Sequence, residues 1–414
     1  VRCFAVSATL VFWELKFEVK GRSRHRASIV KKMIKRNLMK KTGFLIPLLA
    51  ALVCVTGPAS AASSIGSELM SFSVLSGTYV STGDSAKIYG NVLARTYGTT
   101  GANSAIYGNF QSGDVATAGA NAMVQGDFQA ILDGTTGANS TVKGNFQAGT
   151  TGTTGAYSAI KGNFLSGAAG TTGANSTIDG TFKAGGAVSL GASSSIAGVN
   201  GVPVQADTLK MTDSMTLHLA VAKSQLDTEK IVLTSMGSGI VLVPTMTIDT
   251  TLKAGVYSAA SWSTTAGTTL YLDGQNKANQ SWVFNITNIL ATGASTKIEL
   301  INAGADSKVF WNTGGYASLG ASSTFVGTIL ATDYISVGAS ANLRNSPGSS
   351  CGGLFSSTSY VSVGAGATIG SDGCTAATPS ITTAVPEPEF YAMLLAGLGL
   401  VSVMARRRSK KLTS

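Results

Sequence analysis

Between residues 83 and 200 one pattern of small, polar and apolar positions recurs without a slip, each copy starting eighteen positions after the last. Glycine opens each unit at 83, 101, 119, 137, 155, 173 and 191, and a second glycine follows at 90, 108, 126, 144, 162, 180 and 198. Between them lies a β-branched residue in every copy: Ile88, Ile106, Val124, Val142, Ile160, Ile178 and Ile196. Two residues past the second glycine come Val92, Phe110, Phe128, Phe146, Phe164 and Phe182, until Asn200 breaks the series. Apolar residues at unit positions 6 and 10, set among small and polar ones, fit strand alternation better than a helical stripe. A unit this short cannot bury its own apolar face, so copies must stack, with the glycines at the corners. The expectation is an all-β, three-sided β-solenoid with one coil per unit. At about 4.8 Å per coil the regular units would form a rod roughly 34 Å long.

The pattern changes after Pro203. Met211, Met215, Leu219, Ala222 and Leu226 form a helical stripe, with Asp207 or Thr208 as its N-cap. This predicts one long α-helix over 203–230, packed along a solenoid face. Strand signals return from Ile231, and Gly-Ala corners recur at Gly293, Gly320, Gly338 and Gly364. The step from 320 to 338 equals the unit of the array, so 231–375 reads as further coils, less regularly repeated than those of 62–202.

Charge changes the picture only through its location. The formal net charge is +10, yet residues 62–405 hold 13 Lys/Arg against 18 Asp/Glu. The basic excess belongs to the two ends, which removes the main support for a nucleic-acid partner. From Met39, Lys40 and Lys41 precede an apolar run from Gly43 to Val55 and then Ala59-Ser60-Ala61. Residues 39–61 therefore read as a signal peptide with Ala59 and Ala61 marking its cleavage site, a membrane anchor being the competing reading. Residues 1–38 read as a leader from a start site set too far upstream. At the other end a linker, 376–389, carries Pro386-Glu387-Pro388. An apolar transmembrane run, 390–405, and a basic cytoplasmic tail, 406–414, with Arg406, Arg407 and Arg408 follow. That order resembles the PEP-CTERM sorting signal of Gram-negative bacteria. The resemblance implies passage through the inner membrane, cleavage by an exosortase near Pro386 to Pro388, and delivery to the cell surface or the extracellular matrix. Cys351 and Cys374 are the two cysteines left in the exported body, and they read either as a disulfide or as two free thiols.

A second resemblance covers roughly residues 68–345. Phe72-Ser73-Val74-Leu75-Ser76-Gly77, Ala254-Gly255-Val256-Tyr257-Ser258, Leu270-Tyr271-Leu272-Asp273-Gly274, Ser281-Trp282-Val283-Phe284-Asn285-Ile286, Val309-Phe310-Trp311 and the stretch from Gly320 to Ala331 look like the domain of microbial ice-binding proteins. The resemblance implies an irregular three-sided β-solenoid with a long helix alongside, and adsorption to ice. The array of near-identical N-terminal coils departs from the family pattern.

Enzyme chemistry finds little to use. The exported body holds one histidine, His218, on the expected helix, where it reads as a surface or packing residue. There is no set of His and Cys ligands for a metal, no cofactor motif, and no clustered carboxylate pair for glycoside hydrolysis. A surface acting by repetition is the alternative. Unit position 17 carries Ser81, Thr99, Thr117, Thr135, Thr153, Thr171 and Ser189, and position 18 adds Thr100, Thr136, Thr154 and Thr172. Threonine offers a hydroxyl to hold water and a methyl to exclude it, on a stiff stem. Such columns are the candidate ice-binding residues. Satisfying backbone groups at the corners is the competing role. A second column, Asn91, Asn109, Asp127, Asn145, Asn163 and Thr181, reads as a corner ladder. A structural matrix or adhesin protein bound to exopolysaccharide is the alternative function.

Overall fold

The computed structural model describes residues 66–200, 205–344 and 352–370. The expected signal peptide, the segment from 376 onward with its sorting motif and apolar run, and both Cys351 and Cys374 lie outside the described residues. Among the described residues no helix is long and apolar enough to cross a membrane.

The described chain is a parallel β-solenoid. Each coil gives one short strand to each of three faces, and every ladder pairing is parallel. One face, here the hydroxyl face, is a sheet of 13 strands. Inside, Ile88, Ile106, Val124, Val142, Ile160 and Ile178 stand in register on a second face. On the third, Phe110, Phe128, Phe146, Phe164 and Phe182 are fully buried and stack at centroid separations from 5.5 down to 4.5 Å. Burying each ring contributes about 1.5–3 kcal/mol, with a further 0.5–1.5 kcal/mol for each favourable ring pair.

The rings reach across the interior to the hydroxyl face, where Gly98, Gly134, Gly152 and Gly170 face them. A Cβ at any of these glycines would come within 2.6 to 2.8 Å of a ring carbon. The corner glycines answer a different need. At Gly101, Gly119, Gly137, Gly155 and Gly173 a Cβ would meet the backbone of the neighbouring coil at 2.4 to 2.6 Å, so close stacking requires glycine there. Two residues on, Asn103, Asn121, Asn139 and Asn175 take φ 56°, a left-handed conformation that asparagine tolerates best after glycine. The Asn column is a corner ladder: each side-chain Oδ1 accepts from the backbone N–H one coil on, as from Asn91 to Asn109 at 2.8 Å and from Asn145 to Asn163 at 2.9 Å.

Coil order in space differs from order in sequence. The strand Val80–Thr82 pairs with Val361–Val363 on one side and with Tyr97–Thr99 on the other. The chain therefore enters in the middle of the stack and builds coils to one end. A helix then carries it back to the opposite end, and it builds coils toward the middle until the last rests on the first. Thirteen strands span roughly 58 Å at about 4.8 Å per step, and a 31-residue helix covers about 46 Å of that return. The later coils are less uniform than the step at 320–338 suggests. Thr245, Ser263, Ala291, Ser318, Ser336 and Ser362 stand in register, yet only the first and fourth of the five steps between them equal the unit of the array. The other three are longer by about half, and in the first two of these the excess goes into longer strands on the other two faces, such as Thr269–Lys277 and Lys297–Ala303.

Among the described residues two helices accompany the coils: α1, Ser67–Met70, and α2, Gln205–Ser235. Helix α2 begins before Asp207 and Thr208, so neither caps it, and it runs on past 230 to Ser235. The extension follows from packing. Leu233 continues the buried stripe of Met215, Ala222 and Leu226, and the helix stops short of Gly237, whose φ is +88°. The Met211 side chain lies outside the described set. Ala222, Leu226 and Leu233 seal an apolar seam against Leu75, Leu93, Val283, Phe310, Leu330 and Phe355 on the Phe-bearing face. Lys230 pins the seam, donating to Asn312 Oδ1 at 3.0 Å and to the carbonyls of Thr313 and Leu330 at 2.7 and 3.0 Å. His218 is a packing residue, its Nδ1 hydrogen-bonded at 2.5 Å to Glu68 Oε1 on α1.

Candidate functional site

Strand alternation splits the two threonine columns. Position 17 points outward and position 18 inward. Thr100, Thr136, Thr154 and Thr172 are buried at 7% exposure or less, which excludes them from any contact face and corrects the expectation that both columns serve one surface. Their role is internal: Thr100, Thr154 and Thr172 accept from the backbone N–H of Gly119, Gly173 and Gly191 in the next coil, at 3.1 to 3.4 Å. The Thr136 hydroxyl has no hydrogen-bond partner. Backbone satisfaction at the corner is thus real, and it belongs to position 18.

Thr99, Thr117, Thr135, Thr153 and Thr171 remain as one outward column in strict register. Among the described residues none of these five hydroxyls takes a hydrogen bond within the protein, so each is open to water. One border of the column is the Gly-Ala corner, with no side chain beyond Cβ. The other border is uneven, running Tyr97, Val115, Asp133, Thr151 and Ala169. Asp133 carries the only charge in that row. The Thr150 hydroxyl donates to its carboxyl at 2.5 Å and the Thr151 N–H at 3.0 Å, holding it below the usual carboxylate range.

The structure also shows a continuation that sequence reasoning missed. From one end of the hydroxyl face to the other the outward position reads Thr245, Ser263, Ala291, Ser318, Ser336, Ser362, Ser81, Thr99, Thr117, Thr135, Thr153, Thr171 and Ser189. Every member but Ala291 carries a hydroxyl. Beside the serine stretch, Tyr316, Tyr334, Tyr360 and Tyr79 stack face to face at 4.6, 5.0 and 4.8 Å. Unequal coil lengths hide this row in the sequence.

No group of three or more His, Cys, Asp or Glu suited to holding a metal occurs among the described residues. The grooves beside α2 are open channels of about 730 and 670 Å³, lined by helix and corner residues such as Arg95, Lys223 and Asp227 in one and Lys230, Asn285 and Asn312 in the other.

Residues 191–369 match the family described as Ice-binding-like, and residues 384–408 match the PEP-CTERM protein-sorting motif. The family match thus begins at the last unit of the regular array. Over 163 residues the chain is 31% identical to an ice-binding protein of Nostoc sp. (strain HG1), covering 39% of this chain and 56% of that protein. Over 94 residues it is 33% identical to ice-binding protein 1 of Shewanella frigidimarina (strain NCIMB 400), covering 22% of this chain and 10% of that protein. Among solved structures, an ice-binding protein from the Antarctic ascomycete Antarctomyces psychrotrophicus superposes at TM-score 0.38 and 17% identity, over 74% of this chain and 97% of that one. The alignments thus span about half of one relative and a tenth of the other. The match to the ice-binding-like family thus covers residues 191–369, less than half of the chain, and lies ahead of the match to the PEP-CTERM protein-sorting motif at 384–408.

Proposed function

We propose that this protein binds ice through the outward column Thr99, Thr117, Thr135, Thr153 and Thr171, by adsorption and without chemistry. The observation that carries the reading is the register. Five identical side chains, each with an open hydroxyl and a methyl, repeat at about 4.8 Å along a rigid sheet. A repeat of that kind holds water at fixed spacings, and the stacked coils pay no ordering entropy on contact. In the same proposal the chain leaves the cell through its signal peptide, crosses the inner membrane of a Gram-negative bacterium, and is cut by an exosortase near Pro386 to Pro388. The product is secreted or held at the surface.

The test is thermal hysteresis and ice recrystallisation on residues 62–384. Arrested or faceted crystal growth is expected, and ordinary growth at high protein concentration would remove the reading while leaving the fold. Replacing Thr117, Thr135 and Thr153 by Tyr should abolish the effect without unfolding the protein. Unchanged activity would place the site on another face. The sorting motif favours a second reading, a matrix or adhesin protein that holds exopolysaccharide. Partition into polysaccharide but not into ice would select it.

A further inference from the structure

Both ends of the coil stack are open. At one end the terminal strands are Val188–Ser189 and Ser195–Asn200; at the other they are Ile240–Val241, Thr245–Met246 and Thr250–Lys253. Among the described residues each has ladder partners on one side only. An unpaired strand edge is a template for another strand, and solenoids ordinarily end in coils with a polar outer surface. Here the sequence departs from its own repeat in the opposite direction. Gly170 and Thr172, both buried, give way one coil later to Val188 and Leu190, which are 41% and 45% exposed. At the far end Ile240, Val241, Val243 and Ile248 are 62% to 74% exposed.

The two undescribed terminal segments leave from elsewhere. Gly66 lies against Gln225, and Gly370 lies against Tyr89, where the last coil meets the first. The strand Thr368–Ile369 stands five steps from Thr250–Lys253 and seven from Ser195–Asn200, roughly 24 and 34 Å at about 4.8 Å per step. Four residues, 201–204, join the strand Ser195–Asn200 to α2. Neither terminal segment starts near an open end.

We propose that each open end is covered by a second copy of this chain, stacked head to tail, with the coil of Val188 and Leu190 seated on the coil of Ile240, Val241 and Ile248 of the next molecule. Strand direction selects this arrangement. All ladders are parallel, so the end of one copy presents its strand edges on all three faces in the direction that the start of another continues. A head-to-head contact would oppose the strands and leave the other end bare. The contact is heterologous and does not close, so it propagates into linear fibres. Ser189 of one copy then precedes Thr245 of the next, and the hydroxyl row continues across the joint whatever it binds.

The test uses the full chain, by sedimentation velocity over a concentration series, with two double variants. Val188→Lys with Leu190→Lys blocks one end; Val241→Lys with Ile248→Lys blocks the other. The wild-type mass should rise with concentration beyond that of a dimer. Each double variant alone should be monomeric, and an equimolar mixture should form dimers and nothing larger, because each partner keeps one competent end. Circular dichroism and the unfolding midpoint confirm the fold, and Leu190→Ser with Ile248→Ser repeats the test if a lysine pair unfolds the coil. A wild type that stays monomeric at every concentration overturns the proposal, and so does a mixture that stays monomeric. Association persisting in both double variants would place the contact elsewhere, the C-terminal apolar run included, and would overturn it as well.

Discussion

The two halves of the solenoid solve one packing problem in opposite ways. In the N-terminal array the bulk sits under the Phe-bearing face, and the hydroxyl face sets glycine or alanine in the row that faces the rings, at Gly98, Ala116, Gly134, Gly152 and Gly170. In the half matched by the family, one-off aromatics fill the core. Trp311 stacks on Phe284 at 3.8 Å and touches Trp262 and Phe325, and the hydroxyl face turns Trp262, Leu290, Ile335 and Val361 inward. The outer surfaces differ accordingly. The array shows threonines with open hydroxyls. The other half shows serines, some of which bond each other or a neighbour, as Thr245 with Ser263 at 3.0 Å and Ser81 with Ser362 at 3.4 Å, and a tyrosine ladder stands beside them. Repetition yields a uniform surface because every coil makes the same choice of which side carries the volume; a core assembled from individual residues offers no such guarantee.

The largest effect should come from breaking that shared choice. Phe146→Ala removes a ring stacked on both Phe128 and Phe164 at 5.0 and 4.6 Å, and should cost about 3–5 kcal/mol in chemical denaturation. Adding Gly134→Val, whose side chain would enter the space the Phe146 ring vacates, should recover part of the loss. Simple additivity of the two changes would show that ring and glycine are not paired.

The next effect belongs to the helix-bearing half. Burial lowers the Lys230 ammonium from its ordinary range to about 8, against an attraction from Asp227 that raises it. The unfolded chain keeps this proton to about pH 10.5, so between about 8 and 10.5 it binds more protons than the folded chain, and stability rises with pH there. The rise is at most about 3 kcal/mol, since three hydrogen bonds favour the charged amine. Lys230→Met should flatten that part of the stability curve. An unchanged slope would assign it to other groups.

A smaller gain is expected at a corner inside the array where the asparagine is replaced by a bulky residue. Tyr157 holds φ 58° where neighbouring coils place Asn139 and Asn175, and its ring is largely exposed. Tyr157→Asn should stabilise by about 1 kcal/mol, read as a raised unfolding midpoint.

How much of this was legible in the sequence follows from where the information is local. The strict period of Gly, Ile and Phe is a local signal, and it suffices for coil size, strand register and the interior column from Ile88 to Ile178. The alternation rule applied to Thr99 and Thr100 would have sent the second inward; reading adjacent threonines as one surface overlooked it. The coil order was beyond reach. Nothing near Ser81 announces a partner at Ser362, far along the chain, because parallel stacking imposes no spacing on the residues between. The serine row was hidden for the same reason, its members falling at unequal intervals that no periodicity search reveals. The length of α2 was underestimated because Leu233 belongs to the same stripe as Leu226, while Ile231, 70% exposed, mimics the start of a strand.

The smallest structural change separates the halves most sharply. Thr117→Ser, Thr135→Ser and Thr153→Ser together keep every hydroxyl of the column, remove only outward methyls, and give the array the surface chemistry of the other half. Each site is outward and free of internal hydrogen bonds, so stability should move by no more than about 0.5 kcal/mol per site. If the column meets ice through hydroxyl and methyl together, thermal hysteresis should fall while the unfolding midpoint stays in place. The reciprocal change, Ser318→Thr, Ser336→Thr and Ser362→Thr, should raise activity less than the first set lowers it, because Tyr316, Tyr334 and Tyr360 still stand beside those positions and break the flatness of the face. Equal activity in the threonine and serine forms of the array would mean that the methyl plays no part. The difference between the two halves would then lie in the tyrosine ladder alone, and removing it by Tyr334→Ala should make the serine stretch as active as the threonine one.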